Sequence, residues 1–191
     1  MADTNKVKFG LKNVYYAVAT DDGTGTLSYA APVAWPGAVD LNLDVSEESD
    51  PFYADDVIYF KGSDNNGYEG TLETALIPEA FMTSVLGMTN DAKGMIVERA
   101  SDERKEFALL FEFKGDKNKT RHCLYRCAAG RPGIAAHTKE GSTAPQTDTV
   151  PITAMPRIKD EVVKAKCAFN SSSSSSYATW FSEVVEPTTA S

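Results

Sequence analysis

Cysteine and histidine are scarce in this chain. Three cysteines in 191 residues, Cys123, Cys127 and Cys167, make an odd and sparse set. That excludes a disulfide framework and points to a reducing compartment, the cytoplasm, as the place of synthesis. The two histidines leave little for a metal centre or a Ser-His-Asp triad: His122 falls in a strand pattern and His137 in a polar stretch, neither with a partner at useful spacing. Each reads as an ordinary satisfied or solvated side chain. A phosphate loop, a dinucleotide glycine fingerprint, a His-Glu-x-x-His pair and a Gly-x-Ser-x-Gly turn are all missing, so no enzyme is expected and no catalytic residue, cofactor or metal ligand is assigned. No apolar run approaches about 18 residues, and the amino terminus, with Asp3, Lys6, Lys8 and Lys12, has no apolar signal core. Neither export nor membrane insertion is expected, and the N-x-S/T triplets at Asn118 and Asn170 carry no weight as glycosylation sites. Basic residues are outnumbered, 19 Lys plus Arg against 27 Asp plus Glu, a formal charge of −8. A protein that grips nucleic-acid phosphates is therefore excluded.

What is present is an ordinary globular composition, 42% hydrophobic and 24% charged, long enough to build a core without disulfide or metal. Short alternating runs of Val, Ile, Tyr, Phe and Thr, punctuated by Gly, Asn, Asp and Pro, predict strands over 13–20, 38–46, 56–61, 68–77, 94–100, 105–113, 120–128, 147–155 and 161–169. Nine strands with one helix mean a mainly β, antiparallel sandwich or barrel. Pro78, Glu79, Phe81, Met82, Val85 and Leu86 before Gly87 predict that helix, lying across a sheet. A second is expected around 177–185, where Trp180, Phe181 and Val184 share a face. The six serines before it, Ser171–Ser176, read as a flexible tract, so the domain is placed at 1–170 and a Ser-rich linker and tail at 171–191.

Two rows of alternation stand out. Val39, Leu41, Leu43 and Val45 oppose Asp40, Asn42, Asp44 and Ser46, which predicts one buried face and one acidic wet face. Phe107, Leu109, Phe111 and Phe113 oppose Ala108, Leu110 and Glu112, a central strand with both faces covered. Residues 130–146 have few large apolar side chains and read as a long arm or loop, and 47–66 as a second irregular region. Within the latter, Asp50, Asp55 and Asp56 lack the oxygen-ligand pattern of a calcium loop, and neighbouring carboxylates in a strand face opposite ways, so a solvated or interface role is assigned. Asp64, Asn65, Asn66 and Gly67 read as a turn. Cys123 and Cys127, four apart on one strand, are expected on one face about 13 Å apart, packed as small apolar residues.

Five blocks in order, KVKFGLKNVYYAV from Lys6, PGAVDLNLDVSEESDPFYADDVIY from Pro36, NNGYEGTLETALIP from Asn65, YRCAAGRP from Tyr125 and TDTVPITAMP from Thr147, resemble the major tail tube protein of long-tailed (siphovirus-type) bacteriophages and prophages of Gram-positive bacteria. The likeness runs from about Lys6 to Val184, and FYADD and NNGYEG are its most specific parts. It implies a β-sandwich with a flanking helix, joined in hexameric rings whose inner sheets close into one β-barrel, stacked into the virion tail tube through which the genome is ejected. It implies as partners other copies of the chain, a tail-tip or baseplate initiator, a tape measure protein and a tail terminator, with DNA passing the lumen without specific binding. Assembly would take place in the host bacterial cytoplasm. In such a tube the wall must not capture phosphates, and alternation makes Asp40, Asp44, Glu69, Glu73 and Glu112 the expected lumen-facing carboxylates. Loops and arms reaching neighbouring subunits or rings would supply contacts through Asp50, Phe52, Tyr53, Asp55, Asp56, Arg131, Lys139 and Glu140. The arm at 130–146 is then expected to be mobile in a free subunit and ordered in the tube. The alternative from another class is a monomeric carbohydrate- or receptor-binding β-sandwich.

Overall fold

The computed structural model describes residues 9–48, 51–61, 64–116, 118–136, 138, 145–170 and 173–188. Along the chain these form β1 (Leu11–Asp21), β2 (Leu27–Tyr29), β3 (Val33–Ala34), β4 (Ala38–Glu48), β5 (Pro51–Ala54), β6 (Val57–Lys61), β7 (Asp64–Thr74), α1 (Glu79–Ser84), β8 (Thr89–Asn90), β9 (Ile96–Val97), β10 (Phe107–Phe113), β11 (Arg121–Ala129), β12 (Asp148–Ala154), β13 (Lys164–Cys167) and α2 (Ser174–Thr179). Each of the nine anticipated ranges holds a strand, but 94–100 shrinks to Ile96–Val97 and 161–169 to Lys164–Cys167. The four others, β2, β3, β5 and β8, are two to four residues long, too short for alternation to register.

One antiparallel sheet runs β2-β1-β10-β11-β12-β7-β4, with β3 also paired to β1 and β13 to β11. It curls, so that β4 at one end makes contacts with β1 near the other. The concave side holds the main core: Tyr16, Leu72, Phe107, Leu109, Val150 and Ile152, all but inaccessible, with Phe81, Val85 and Leu86 of the α1 region packed into it. Phe81 meets Tyr16 edge to face at 5.0 Å and Phe107 at 5.4 Å, a geometry that adds roughly 0.5–1.5 kcal/mol per pair beyond area burial. Fully buried Thr74 is satisfied: Trp35 Nε1 donates to its hydroxyl (3.0 Å), which lies 3.2 and 3.1 Å from the Gly37 and Leu76 carbonyls. β10 is central, with Phe107 through Phe111 buried on both faces, as its pattern predicts.

The convex side of β1, β10 and β11 carries a second core: the covering of both β10 faces was expected, but not that the C-terminal stretch supplies it. Ala17, Ala108, Leu110, Cys123 and Tyr125 are covered there by Trp180, Phe181, Val184 and Val185. The stretch placed outside the domain as linker and tail is thus packed upon it between Ser173 and Glu186, and α2 starts within the serine run rather than at Tyr177. Serine is a mediocre helix former, but burial of Trp180 to 3% exposure outweighs propensity. Five polar links fix the strap: Trp180 Nε1 to the His122 carbonyl (3.3 Å), Tyr125 Oη to the Val185 carbonyl (2.7 Å), Tyr177 Oη to the Lys119 carbonyl (2.9 Å), Arg157 to Glu186 (2.5 Å), and Arg121 to the Tyr177 carbonyl.

Two β-bulges correct the expected geometry. On β11, Leu124 pairs Leu109 and Cys127 pairs Phe107, which leaves Tyr125 and Arg126 opposite Ala108. The extra residue flips the face, so Cys123 packs in the convex core and Cys127 in the concave one, not on one face. Both are free thiols, packed as small apolar groups. On β7, Val45 pairs Tyr68 and Glu47 pairs Asn65, so Asn66 and Gly67 lie opposite Ser46. Gly67 has φ +100° and its N–H bonds Asn65 Oδ1 (3.1 Å). The Asn-Asn-Gly signal for positive φ is real, but it makes a bulge inside a strand rather than a chain reversal. A Cβ at Gly67 would sit 1.9 Å from the Ala154 carbonyl oxygen, which explains the glycine.

Candidate functional site

The stretch expected to be irregular at 47–66 is largely β. β4 and β7 continue past the body as a ribbon to Glu48 and Asp64, and β5 and β6 form a further hairpin beyond it. Asp55 and Asp56 are not in a strand. They form its two-residue turn, with φ +51° and +59° between the paired Ala54 and Val57, the type I′ geometry favoured by right-handed strand twist. β5 and β6 pack principally on each other, and Tyr53 (61%), Val57, Ile58 and Tyr59 (74%) are left exposed around the turn. The apolar row on β4 is correspondingly only half covered: Leu41 and Leu43 pack against the core, while Val39 and Val45 are more than half exposed. The fully buried face expected of this row is therefore corrected. A bulge at Val39 and the departure of the ribbon from the body carry its two ends beyond the core.

The polar face of the same ribbon is acidic throughout. Asp40 pairs Glu73, Asn42 pairs Thr71 and Asp44 pairs Glu69 across β4 and β7. On β12 the row continues with Thr149 beside Glu73, Pro151 beside Thr71 and Thr153 beside Glu69. Across these three strands, four carboxylates and no cation point the same way, most of them exposed. Glu73 accepts a hydrogen bond from the Thr147 hydroxyl (2.5 Å). Glu112, the fifth carboxylate assigned to this set, stands apart. It lies on β10 next to the C-terminal strap, half-buried, with Arg121 Nε at 3.4 Å and Asn13 Nδ2 at 2.5 Å, and is neutralised within the chain.

The ribbon hairpin and the 130–147 connection leave the sheet at opposite ends. Ala38 and Asp148 both pair Thr74 at one end of β7, while Glu48 pairs Asp64 at the other, ten residues and about 33 Å away. Of the expected contact residues, Tyr53, Asp55 and Asp56 are on the hairpin. Arg131 is used within the chain, on Glu98 (3.0 Å) and the Arg99 carbonyl (2.9 Å). Asp50, Lys139, Glu140 and the side chain of Phe52 lie outside the described residues, as does His137. His122 is indeed a strand histidine, its ring stacked on Phe111 at 5.2 Å. Among the described residues no three His, Cys, Asp or Glu side chains converge on a common point, and no helix is long and apolar enough to cross a membrane.

A feature with no motif to announce it is a basic cleft of about 640 Å³ where β1 begins, β10 ends and β11 begins. Lys12, Lys114, Lys119 and Arg121 line it together with Phe169 and Tyr177. Arg121 is stacked on Tyr177, its guanidinium 3.8 Å from the ring centre, and donates to the Tyr177 carbonyl. Lys114, Lys119 and Arg121 fall within eight residues of sequence, and folding brings Lys12, Phe169 and Tyr177 to them. No protein-family model matches this chain, and no curated protein matches it either.

Proposed function

We propose that this chain is the structural subunit of a bacteriophage tail tube, self-assembling into stacked hexameric rings whose inner sheets close into a barrel that conducts the genome. The observation that carries the reading is the β4–β7–β12 face: a sheet surface uncovered in the single chain and lined by Asp40, Asp44, Glu69 and Glu73 without a cation. A wall of this sign does not bind phosphates, since each Lys or Arg contact to the backbone would add an attraction that brakes passage. With six copies the formal charge is 6 × (−8) = −48 per ring.

The free edge of β4 and the exposed Val39 and Val45 are surfaces that ring closure would pair and cover, as a heterologous contact that closes on itself does. The hairpin and the 130–147 connection, departing from opposite ends, suit contacts to different neighbours. A tail-tip initiator, a tape measure and a terminator would start, measure and cap such a tube.

Electron microscopy and light scattering of the purified full-length chain test this reading. Rings or tubes of uniform bore are expected, with pairwise interfaces on the order of 2,000 Å² or more. A 20.7 kDa species at every concentration and salt level, with or without preformed seeds, would overturn it and favour the monomeric binding module.

A further inference from the structure

Charge is divided unevenly along the chain. Residues 13–92 hold fourteen carboxylates and one cation, Lys61, a net −13, and the remaining residues are therefore net +5. Folding concentrates the two signs at separate places. The Asp55–Asp56 turn tips an exposed aromatic and aliphatic hairpin, and the cleft at the β1, β10 and β11 strand ends gathers Lys12, Lys114, Lys119 and Arg121 around one carboxylate, Glu112. Among the described residues the three lysine amines have no carboxylate within ion-pair distance. Their walls, Phe169 and Tyr177, match the Tyr53 and Tyr59 side chains that flank the turn in kind. The hairpin does not occupy the cleft of its own chain.

We infer that the basic cleft receives the Asp55–Asp56 hairpin tip of a second copy. This rests on the self-assembly reading and sharpens it, because the geometry selects the neighbour. Following the pairings from Asn65–Glu47 through Tyr68–Ala154 and Ala154–Cys127 to Arg121–Glu112 shows that hairpin and cleft lie at the same end of the sheet. Copies stacked head to tail would bring opposite ends together. A contact between like ends joins copies side by side, so this is a contact within a ring. Two carboxylates on a rigid type I′ turn would meet the lysine amines on the rim, while the tyrosines cover the aromatic wall. Opposite charge of this kind sets register and speeds encounter.

Charge exchange in the full-length chain tests the inference. D55K/D56K and K114E/K119E reverse the charge of exposed side chains, unchanged thermal melts establish that the subunits fold, and D55N/D56N, which removes the charge with residues suited to the positive-φ turn, is expected to weaken ring formation as well. Each charge-reversed variant alone is expected to raise the concentration needed for ring formation on the order of tenfold or more, and mixing the two, or combining all four changes, is expected to restore it. In a C167A background, D56C with K119C should form a disulfide between chains in isolated rings, before any stacking. Restoration failing while the wild type assembles normally would overturn this inference and leave the tail-tube reading standing. So would a cross-link found only in stacked tubes or only within one chain. A wild type that never assembles would overturn both, and a K114E/K119E chain that assembles normally but loses binding to a nucleic acid would assign the cleft to a different anion.

Discussion

Asp44 stands directly across the β4–β7 ladder from Glu69, and four residues along the strand the arrangement repeats with Asp40 and Glu73. Like charges in register are unfavourable by roughly 0.2–1 kcal/mol per pair, at the lower end where salt screens exposed groups. A sheet built for stability alone would alternate signs here. The chain instead tolerates two repulsive pairs on a face that no other described element covers, and the property they share is negative potential over that face. Asp44→Asn should therefore raise the stability of the isolated subunit, by up to about 1 kcal/mol at low salt and less at high salt. Urea denaturation at two ionic strengths measures this; a destabilised variant would mean that Asp44 has a favourable partner.

Reversing the sign of the face should act on conduction rather than on folding. Asp40→Lys with Asp44→Lys replaces two repulsive pairs by two attractive ones across β4 and β7, so rings should form. Twelve added cations per hexameric ring would then hold phosphates, and DNA ejection from assembled tails should slow or stall, with the defect relieved as salt rises. Time-resolved release of DNA from particles carrying the variant is the measurement. Unchanged ejection from well-formed variant tails would place these residues outside the channel.

The strap is a structural part of the domain, so its loss should be costly. Trp180 is 3% exposed and fills the convex core against Leu110 and Tyr125. Trp180→Ala should destabilise the subunit by about 3–5 kcal/mol, read by denaturant titration. A change below about 1 kcal/mol would return this segment to the status of a tail.

How much of this was legible beforehand follows from the range of the interactions. Strands such as β10, with Phe107 to Phe113, are declared by a short, nearly continuous apolar run that is buried on both sides, and α1 by Pro78, Phe81 and Val85 at helical spacing. The acidic row of β4 was legible from its local alternation, whereas its confrontation with Glu69 and Glu73 depends on a register that two bulges decide. The same limit misplaced Cys123 and Cys127: a one-residue bulge across from Ala108 leaves no mark in composition, yet it inverts a face. Serine content hid the strap because the side chains that dock it, Trp180, Phe181 and Val184, find their partners on β1 and β11, far away in sequence. The basic cleft was legible only in part: Lys114, Lys119 and Arg121 fall within eight residues, but Lys12 joins them from about a hundred positions before and Phe169 and Tyr177 from about fifty after.

Thiol reactivity should follow the two cores. Burial pushes the Cys123 thiol well above its ordinary range, with the nearby Cys127 adding to the shift, and burial likewise raises Cys127. Little thiolate is therefore available at either site near neutrality. Cys167, half-buried on β13, should be labelled first by a maleimide in the native subunit, the other two only on unfolding. Replacing all three with Ala should cost packing energy on the order of 1 kcal/mol per buried site and leave assembly unaffected by oxidant or reductant. Rings that collapse on reduction would contradict the packing described.

Acid should release the strap before it unfolds the main core. Arg157, 7% exposed, lies against Tyr125 (4.8 Å), donates from Nε to Asp160 Oδ1 (2.9 Å) and reaches Glu186 of the strap (2.5 Å). The hydrogen bond from Arg157 is the largest influence on Asp160 and holds its carboxyl below the ordinary value of 3.8, against a smaller opposing effect of burial. A depressed carboxyl contributes stability that is fully present above its unfolded pKa and is lost as pH falls through the folded one. As pH falls below the ordinary carboxyl value of 3.8 and through the lowered folded one, the Asp160 contribution should therefore vanish, and with Asp160 neutral the buried guanidinium loses one of its two carboxylates. Tryptophan fluorescence should report solvation of Trp180 in this window while far-ultraviolet circular dichroism still shows the sheet. Arg157→Met, which keeps the bulk over Tyr125 and removes the charge, should flatten this pH dependence and leave the strap more weakly held at neutral pH. An acid transition of Trp180 identical in the variant and the wild type would show that the latch does not control the strap.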